Sequence, residues 1–241
     1  MSIEKELKNL QLNRPAQNGF DYSDWPIIKP NYAKTDIEIK NVHWEYIPES
    51  IYDEFALKDA RKYYSWLNAK GENLFVNEKG KLSMYCEGAL TGRCLVLSTG
   101  FYEWRHLPKI GKRGKELKET EKNPYRIGVK SDKEYFFIAG VSRVWTNERR
   151  GISADTFAIV TTEGNELMQQ VHNTKKRMPV ILPEDFAYEW LLGNLNKERI
   201  LELASYQFPA NEMFAYTVSK DFLKKEDPWK EVEYENMPPI L

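Results

Sequence analysis

Cysteine and histidine are scarce in this 241-residue chain. The two cysteines, Cys86 and Cys94, are too few for a disulfide framework, and a structural zinc site needs four ligands. The three histidines, His43, His106 and His172, are too widely spread to predict a metal site. The sequence therefore predicts neither a metal nor a cofactor, and it favours a reducing, cytoplasmic setting.

Long apolar runs and a strong net charge are also missing. No run of about 18 apolar residues occurs, so no membrane-spanning helix is predicted. The first residues, "MSIEKELKNL", lack the apolar region of a signal peptide. The formal net charge is −1, so any anion site must be a local cluster rather than an overall positive field. We expect a protein without membrane contact, with a monomer as the default state.

Core-forming residues, in contrast, are plentiful. The chain is 41% hydrophobic and 13% aromatic, which permits a sizeable core and argues against disorder. Its 7 tryptophans and 14 tyrosines need partners for their N–H and O–H groups. This composition indicates half-polar surfaces inside or around a groove.

The apolar patterns predict more strands than helices. Segment 93–104, "RCLVLSTGFYEW", has the strongest strand pattern. Segment 124–145 predicts two strands around the turn "SDKE", the second of them buried on both faces. Further strands are predicted at 36–47, 156–162, 177–183 and 213–219, and helices at 3–10, 163–173, 183–192 and 196–205.

Three segments have weaker patterns. Residues 11–34 contain Pro15, Pro26 and Pro30 and predict an irregular but ordered segment. Residues 52–66 fit a helix or a long loop, and the Lys-rich stretch 105–123 predicts a long, solvated hairpin connection. Since strands outnumber helices without regular alternation, we predict a β-rich α+β fold. No change of composition marks a linker, so residues 1–241 are predicted to form one domain.

Glu103 is an unusual residue for the strand predicted at 93–104. It lies between Tyr102 and Trp104, whose side chains would point to the opposite face of a strand. A carboxylate in such an aromatic segment is costly unless it is paired or functional. Burial would raise its pKa, which suits a general acid or base. The structural alternative is an ion pair with Arg93 or Arg143.

Three other polar features have ordinary structural explanations as well as functional ones. His172 lies at the end of the helix predicted at 163–173, whose C-terminus would favour the charged imidazole, but by itself it is better explained as a surface cap. Asn68, in "WLNAKGEN", could orient a reactant or satisfy a turn. Lys70 and the basic segment 175–177 could bind phosphates, although such clusters are usually solvated.

The order of these features is more informative than any one of them. "LNAKGE", "RCLVLSTGFYEW" and "IVTTEGNELMQQVHNTKKRMPVIL" together resemble the SOS response-associated peptidase family, the abasic-site processing proteins. The resemblance extends from about Trp44 to Ser219, and its second and third motifs are highly specific. "HWEYIP" is similar to a weaker form of a tryptophan-containing family motif, and "YTVSKDF" resembles the family's C-terminal strand.

The resemblance implies both a fold and a reaction. The implied fold is a mixed, bifurcated sheet curled into a pseudo-barrel with flanking helices. Family members bind single-stranded DNA at abasic sites, and their N-terminal cysteine forms a stable thiazolidine with the sugar aldehyde. By motif, the implied catalytic residues are Asn68, Glu103 and His172. Glu103 would move protons during sugar-ring opening with help from His172, while Asn68 would orient the attacking amine or thiol.

The same correspondence predicts where DNA binds. The implied partner is single-stranded DNA containing abasic sites, bound by a cytoplasmic protein that associates with the nucleoid. Lys70 stands where the family usually has an arginine, which weakens that phosphate contact. A self-cleaving peptidase label and an abasic-site lyase activity also follow by resemblance. The implied DNA-binding residues are Trp44, Lys70, Thr161, Lys175, Lys176 and Arg177.

The sequence departs from the family pattern at its start. The family has cysteine at its second residue, whereas this chain has Ser2. Cys86 and Cys94 are not substitutes because they are predicted inside the fold, Cys94 as a core residue. Either the true start lies upstream, or this member has lost the thiol. We favour the first because the three implied catalytic residues remain.

Two other functions stay open. Without the thiol, the protein could be a module that holds single-stranded DNA non-covalently. Glu103 and His172 could instead activate water in an unrelated hydrolase.

Overall fold

The computed structural model describes residues 16–31, 36–111, 115–235 and 237–241. The helix predicted at 3–10 and Ser2 lie outside these residues. The strands are β1 (Asp24–Pro30), β2 (Ile37–Trp44), β3 (Asn68–Lys70), β4 (Arg93–Ser98), β5 (Phe101–Ile110), β6 (Glu116–Val129), β7 (Phe136–Asn147), β8 (Ile152–Glu163), β9 (Arg177–Pro179), β10 (Ile181–Leu182) and β11 (Met213–Thr217). The helices are α1 (Glu54–Ala60), α2 (Cys86–Thr91), α3 (Glu166–Val171), α4 (Glu184–Leu192) and α5 (Lys197–Ala204).

The larger sheet closes on itself. Its strand order is β10-β7-β4-β1-β2-β8-β3, and an additional β7–β8 pairing closes a barrel of β7, β4, β1, β2 and β8. Strand β8 pairs in parallel with β2 and β3, while the other pairings in this sheet are antiparallel. Closure leaves fewer unpaired strand edges in the barrel. The predicted β-rich α+β fold with a curled, mixed sheet is confirmed.

A second sheet packs beside the barrel. It has three strands in the order β11-β6-β5, all antiparallel. Two hydrophobic clusters fill the molecule: one contains residues of α4 and α5, and the other joins barrel residues to the second sheet and α3. Strand β7 contributes alternate residues to both clusters, so its predicted burial on both faces is confirmed.

Other predicted elements are confirmed near their expected positions. These are the strands β2, β8 and β11, the helices α3, α4 and α5, and the two strands on either side of the turn at 131–134. The undecided segment 52–66 contains helix α1, which Asp53 caps by accepting a hydrogen bond from the Ala56 N–H at 2.7 Å.

Three predictions from the sequence were wrong. Segment 93–104 is two strands, because the chain turns at Gly100 (φ 158°) and passes from the barrel to the second sheet. Segment 11–34 contains β1, whose prolines are tolerated because only Ile27 and Ile28 pair with β4. The stretch 105–123 is mostly β5 and β6, which remain paired as far as Ile110 and Glu116, so strand pairing replaces the expected loop.

Within the described ranges, no helix has the length and apolar character needed to cross a membrane; α4, with 9 residues, is the longest.

Candidate functional site

Glu103 lies on the face of β5 that packs towards α3. It pairs in register with Tyr125 on β6. Tyr102 and Trp104 point to the opposite face, where their rings pack on Phe222 with centroids 4.3 and 6.0 Å away. The predicted division of this strand into two faces is therefore correct. Glu103 is shielded but still reachable, since its side chain is 26% exposed.

His172 lies directly opposite this carboxylate. It is the C-terminal cap residue of α3, and its Nε2 lies 3.7 Å from Oε2 of Glu103. Its Nδ1 lies 2.9 Å from the Arg177 carbonyl oxygen. Because a carbonyl only accepts, this contact favours a proton on Nδ1 and directs Nε2 at the carboxyl group. The 3.7 Å separation is longer than a hydrogen bond, but it brings together two side chains that can each act in acid–base catalysis.

The environment of Glu103 favours its protonated form. Burial raises the pKa of the Glu103 carboxyl, while His172, Lys175 and the Trp104 backbone N–H oppose the shift without cancelling it. The structural alternative for Glu103 is wrong. Arg93 donates to backbone carbonyls, including that of Trp190, and Arg143 faces two other glutamates.

Asn173 fixes the distance between the two elements of the pair. Its Oδ1 accepts from the His106 backbone N–H at 3.0 Å, and its Nδ2 donates to the His106 carbonyl at 2.8 Å. Lys176, with φ 52°, then turns the chain back so that Arg177 reaches His172. The left-handed conformation of Lys176 is uncommon for a residue with a side chain, so surrounding contacts must maintain it.

Asn68 lies on a neighbouring edge of the barrel. It begins β3, which runs parallel to β8 with Asn68 beside Ile159 and Lys70 beside Thr161. Asn68 is exposed, and its backbone carbonyl accepts a hydrogen bond from the Tyr85 hydroxyl at 3.2 Å. Thr161 lies one strand further in, between β3 and β9, and no hydrogen bond or ion pair joins Asn68 to Glu103 among the described residues.

The predicted DNA-binding cations differ in their surroundings. Lys175 and Lys176 are exposed, and Lys175 is close enough to Glu103 to influence its pKa. Lys70 forms an ion pair with Glu78. Arg177 binds both carboxylate oxygens of Glu72, at 2.5 and 3.0 Å, and also donates to the Thr161 carbonyl and hydroxyl. A phosphate would therefore have to compete for Lys70 and Arg177, whereas the two exposed lysines face solvent.

Trp44 has a clear structural role. Its indole N–H donates to the Leu67 carbonyl at 3.0 Å, and its ring stacks on Phe157 with centroids 6.2 Å apart. The ring is half-buried, so any stacking with a base would use its remaining surface.

Three residues near this site were not recognised in the sequence. The sequence predicted Asn173 as the end of a helix and Arg105 as part of a solvated hairpin. No sequence pattern indicated Tyr85. Asn173 follows His172 directly, and Arg105 follows the aromatic strand motif. Their positions next to these motifs could have indicated that both lie near the candidate site. The described residues contain no group of three or more His, Cys, Asp or Glu side chains that could hold a metal ion.

Curated proteins of known name are similar to this chain in sequence. Abasic site processing protein YoaM of Bacillus subtilis is 33% identical over 162 residues, covering 67% of this chain and 63% of that protein. Abasic site processing protein HMCES of Gallus gallus is 25% identical over 196 residues, covering 74% of this chain and 54% of that protein. The chain therefore spans less than two thirds of the length of these relatives.

Solved structures share the fold. A protein from Bacteroides thetaiotaomicron has 34% sequence identity and a TM-score of 0.71, covering 89% of this chain and 81% of its own. A phage-related protein from Bordetella bronchiseptica, at 24% identity and a TM-score of 0.58, supports the fold alone. The family described as SOS response associated peptidase (SRAP) matches residues 2–224, and this chain belongs to that family.

Proposed function

We propose that this protein binds single-stranded DNA at abasic sites and processes the exposed sugar through the Glu103–His172 pair. The observation that carries the proposal is the 3.7 Å approach of His172 Nε2 to a shielded carboxyl group whose pKa is raised. The curated relatives are named as abasic site processing proteins, which supports the same substrate for this chain.

The first step is opening of the abasic sugar. In the closed ring, C1′ carries a hydroxyl and is bonded to the ring oxygen. One member of the pair removes the hydroxyl proton and the other protonates the ring oxygen, so the C1′–O4′ bond breaks and an aldehyde forms. The pair suits this step because one member can act as the acid while the other acts as the base.

The second step is attack by a primary amine on the aldehyde carbon. One proton from the amine and one from the acid convert the former aldehyde oxygen to water, which leaves as the iminium forms. Glu103 is placed to carry these protons, and the exposed Asn68 is the residue we assign to orienting the amine. In a member with cysteine at the start of the mature chain, the thiol then adds to the iminium carbon, loses its proton and closes a thiazolidine.

The residue at the N-terminus decides the last step. A serine hydroxyl is a weak nucleophile near neutral pH, so with a serine there the iminium would persist, hydrolyse or permit strand elimination. We therefore expect a protein prepared to begin at Ser2 to give a reversible adduct rather than one that survives denaturation. A protein prepared to begin with cysteine would close the ring stably.

The test is covalent trapping on denaturing gels. A single-stranded oligonucleotide with one abasic site should give an adduct with borohydride, which reduces the iminium, and little without it. An intact oligonucleotide of the same sequence is the control. A borohydride-independent adduct from the chain as written would contradict the assignment of Ser2, and no binding to either strand would contradict the proposed function.

Non-covalent binding of single-stranded DNA is the second candidate, which the exposed Lys175 and Lys176 beside the site favour. Equal affinity for abasic and intact strands, with no borohydride adduct, would establish that alternative.

A further inference from the structure

Arg105 is a buried cation on the same face of β5 as Glu103. It lies two residues, or about 7 Å, further along the strand. Its residue surface is only 9% exposed. One guanidinium nitrogen, Nη1, donates to the Pro238 carbonyl and lies 3.4 Å from the Tyr125 hydroxyl, while the buried Nε has no partner. No carboxylate pairs with Arg105 in the described part of the chain.

A segment near the end of the chain covers this arginine. We use the name strap for residues 229–235 and 237–241. Val232 exchanges two hydrogen bonds with Thr217 on β11, at 2.9 and 2.6 Å. Tyr234 donates to the Val218 carbonyl at 2.7 Å, and Pro238 then reaches Arg105 on β5. The strap therefore runs from one edge strand of the second sheet to the other.

The strap lies outside the part of the chain that the family model matches, which ends at residue 224. Met237 and Ile240 are partly buried against the cluster that includes Tyr125 and Ile127. By strand register, Tyr125 and Ile127 lie on the same face of the second sheet as Glu103. The strap, which packs against them, therefore lies beside the candidate site.

We propose that Arg105 is a phosphate subsite for the DNA strand and that residues 237–241 cover it in the free protein. The inference rests on the proposed function, because the ligand is a phosphodiester of the strand whose abasic sugar lies at Glu103 and His172. The positive charge of the buried Arg105 guanidinium is poorly compensated, because the group contacts only one neutral carbonyl and one hydroxyl and its Nε has no partner. A phosphate would supply the missing charge and accept two parallel N–H bonds. Binding then exchanges the Pro238 carbonyl for a phosphate oxygen.

The salt dependence of binding tests this subsite. With intact single-stranded oligonucleotide, Arg105→Gln should lower affinity about tenfold and make the slope of log affinity against log salt shallower by about 0.7, the contribution of one phosphate. Arg105→Lys should keep most of the slope because it keeps the charge. Lys122→Gln, on the facing strand but the opposite face, is the matched control and should leave the slope unchanged.

Removal of residues 237–241 supplies the complementary measurement. The shortened chain should bind the strand more tightly, and Arg105→Gln should abolish that gain. Thermal melting checks that each variant folds, and Arg105→Gln in the full chain remains informative if the shortened chain does not. An unchanged slope for Arg105→Gln would make Arg105 only a structural anchor for the strap and overturn the proposal. Failure of the full chain to bind DNA would overturn the proposed function instead.

Discussion

The side chain of Asn173 pairs with the backbone of His106 much as a neighbouring strand would. It accepts from the His106 N–H at 3.0 Å and donates to the His106 carbonyl at 2.8 Å. Since Asn173 follows His172 and His106 lies three residues after Glu103, this pairing ties the end of α3 to β5. The acid–base pair thus depends on a contact made by neither of its members.

Loss of the Asn173 contact should impair reaction more than binding. We expect Asn173→Ala to slow borohydride-trapped adduct formation at saturating DNA, with affinity largely retained. Two buried backbone groups lose a partner, so unfolding free energy should also fall by about 1–3 kcal/mol. Asn173→Asp can still accept from the N–H but cannot donate to the carbonyl, and should be intermediate. Gln170→Ala, on the exposed surface of α3, is the control.

Glu103→Gln should retain the fold and lose most of the reaction. A single general acid–base residue contributes about 10²–10⁴-fold to rate. Single-turnover trapping on abasic oligonucleotide measures the loss, and binding to the intact strand should change little. A variant that unfolds would show instead that the carboxylate is needed for the structure.

The raised pKa of Glu103 also predicts a pH-dependent difference in stability. The folded protein holds this proton more tightly than the unfolded chain, so ionisation of Glu103 costs folding free energy. At pH values below the ordinary pKa of a glutamate this cost is absent, and it grows as the pH rises through the raised pKa of Glu103. Glu103→Gln cannot ionise, so its stability relative to the natural chain should increase over that interval and then level off. Urea unfolding at a series of pH values measures the difference, and a constant difference would contradict the prediction.

The two histidines near β5 should behave differently. His172→Ala removes the partner of Glu103 and should lower the rate of trapping at saturating DNA more than it lowers affinity. By strand alternation the His106 side chain points away from Glu103, and only its backbone contacts Asn173. His106→Ala should therefore leave the rate nearly unchanged. A loss confined to affinity in His172→Ala would reassign that residue to DNA binding.

DNA binding should depend on salt through a small local cluster. The formal net charge of −1 excludes a general positive field, and the exposed Lys175 and Lys176 lie beside the candidate site. We expect a slope that corresponds to about two to four released counterions. Lys175→Gln and Lys176→Gln should each make the slope shallower, whereas Lys58→Gln on helix α1 should not. Affinity that does not vary with salt would contradict this prediction.

The sequence by itself determined the class of fold and pointed to the residues of the candidate site. Alternation on β5 put Glu103 on the face opposite Tyr102 and Trp104, because side chains of a strand point alternately to its two faces. Motif order identified His172 and Asn68 as candidates. The fold class and the face of Glu103 were predicted correctly because they depend on local periodicity. The roles of His172 and Asn68 stay predictions.

Only the tertiary structure decided which of these residues meet. The turn at Gly100 moves β5 out of the barrel and into a second sheet, and a continuous apolar pattern conceals that change. The partner of Glu103 proved to be His172 rather than an arginine, since α3 packs across β5. Asn173, at the end of α3, bonds His106 from 67 residues away in the chain. The ion pair of Arg177 with Glu72 and the cover of Pro238 over Arg105 join still more distant segments. Such contacts depend on how sheets and helices pack, and packing between distant segments leaves no periodic signal in a single sequence.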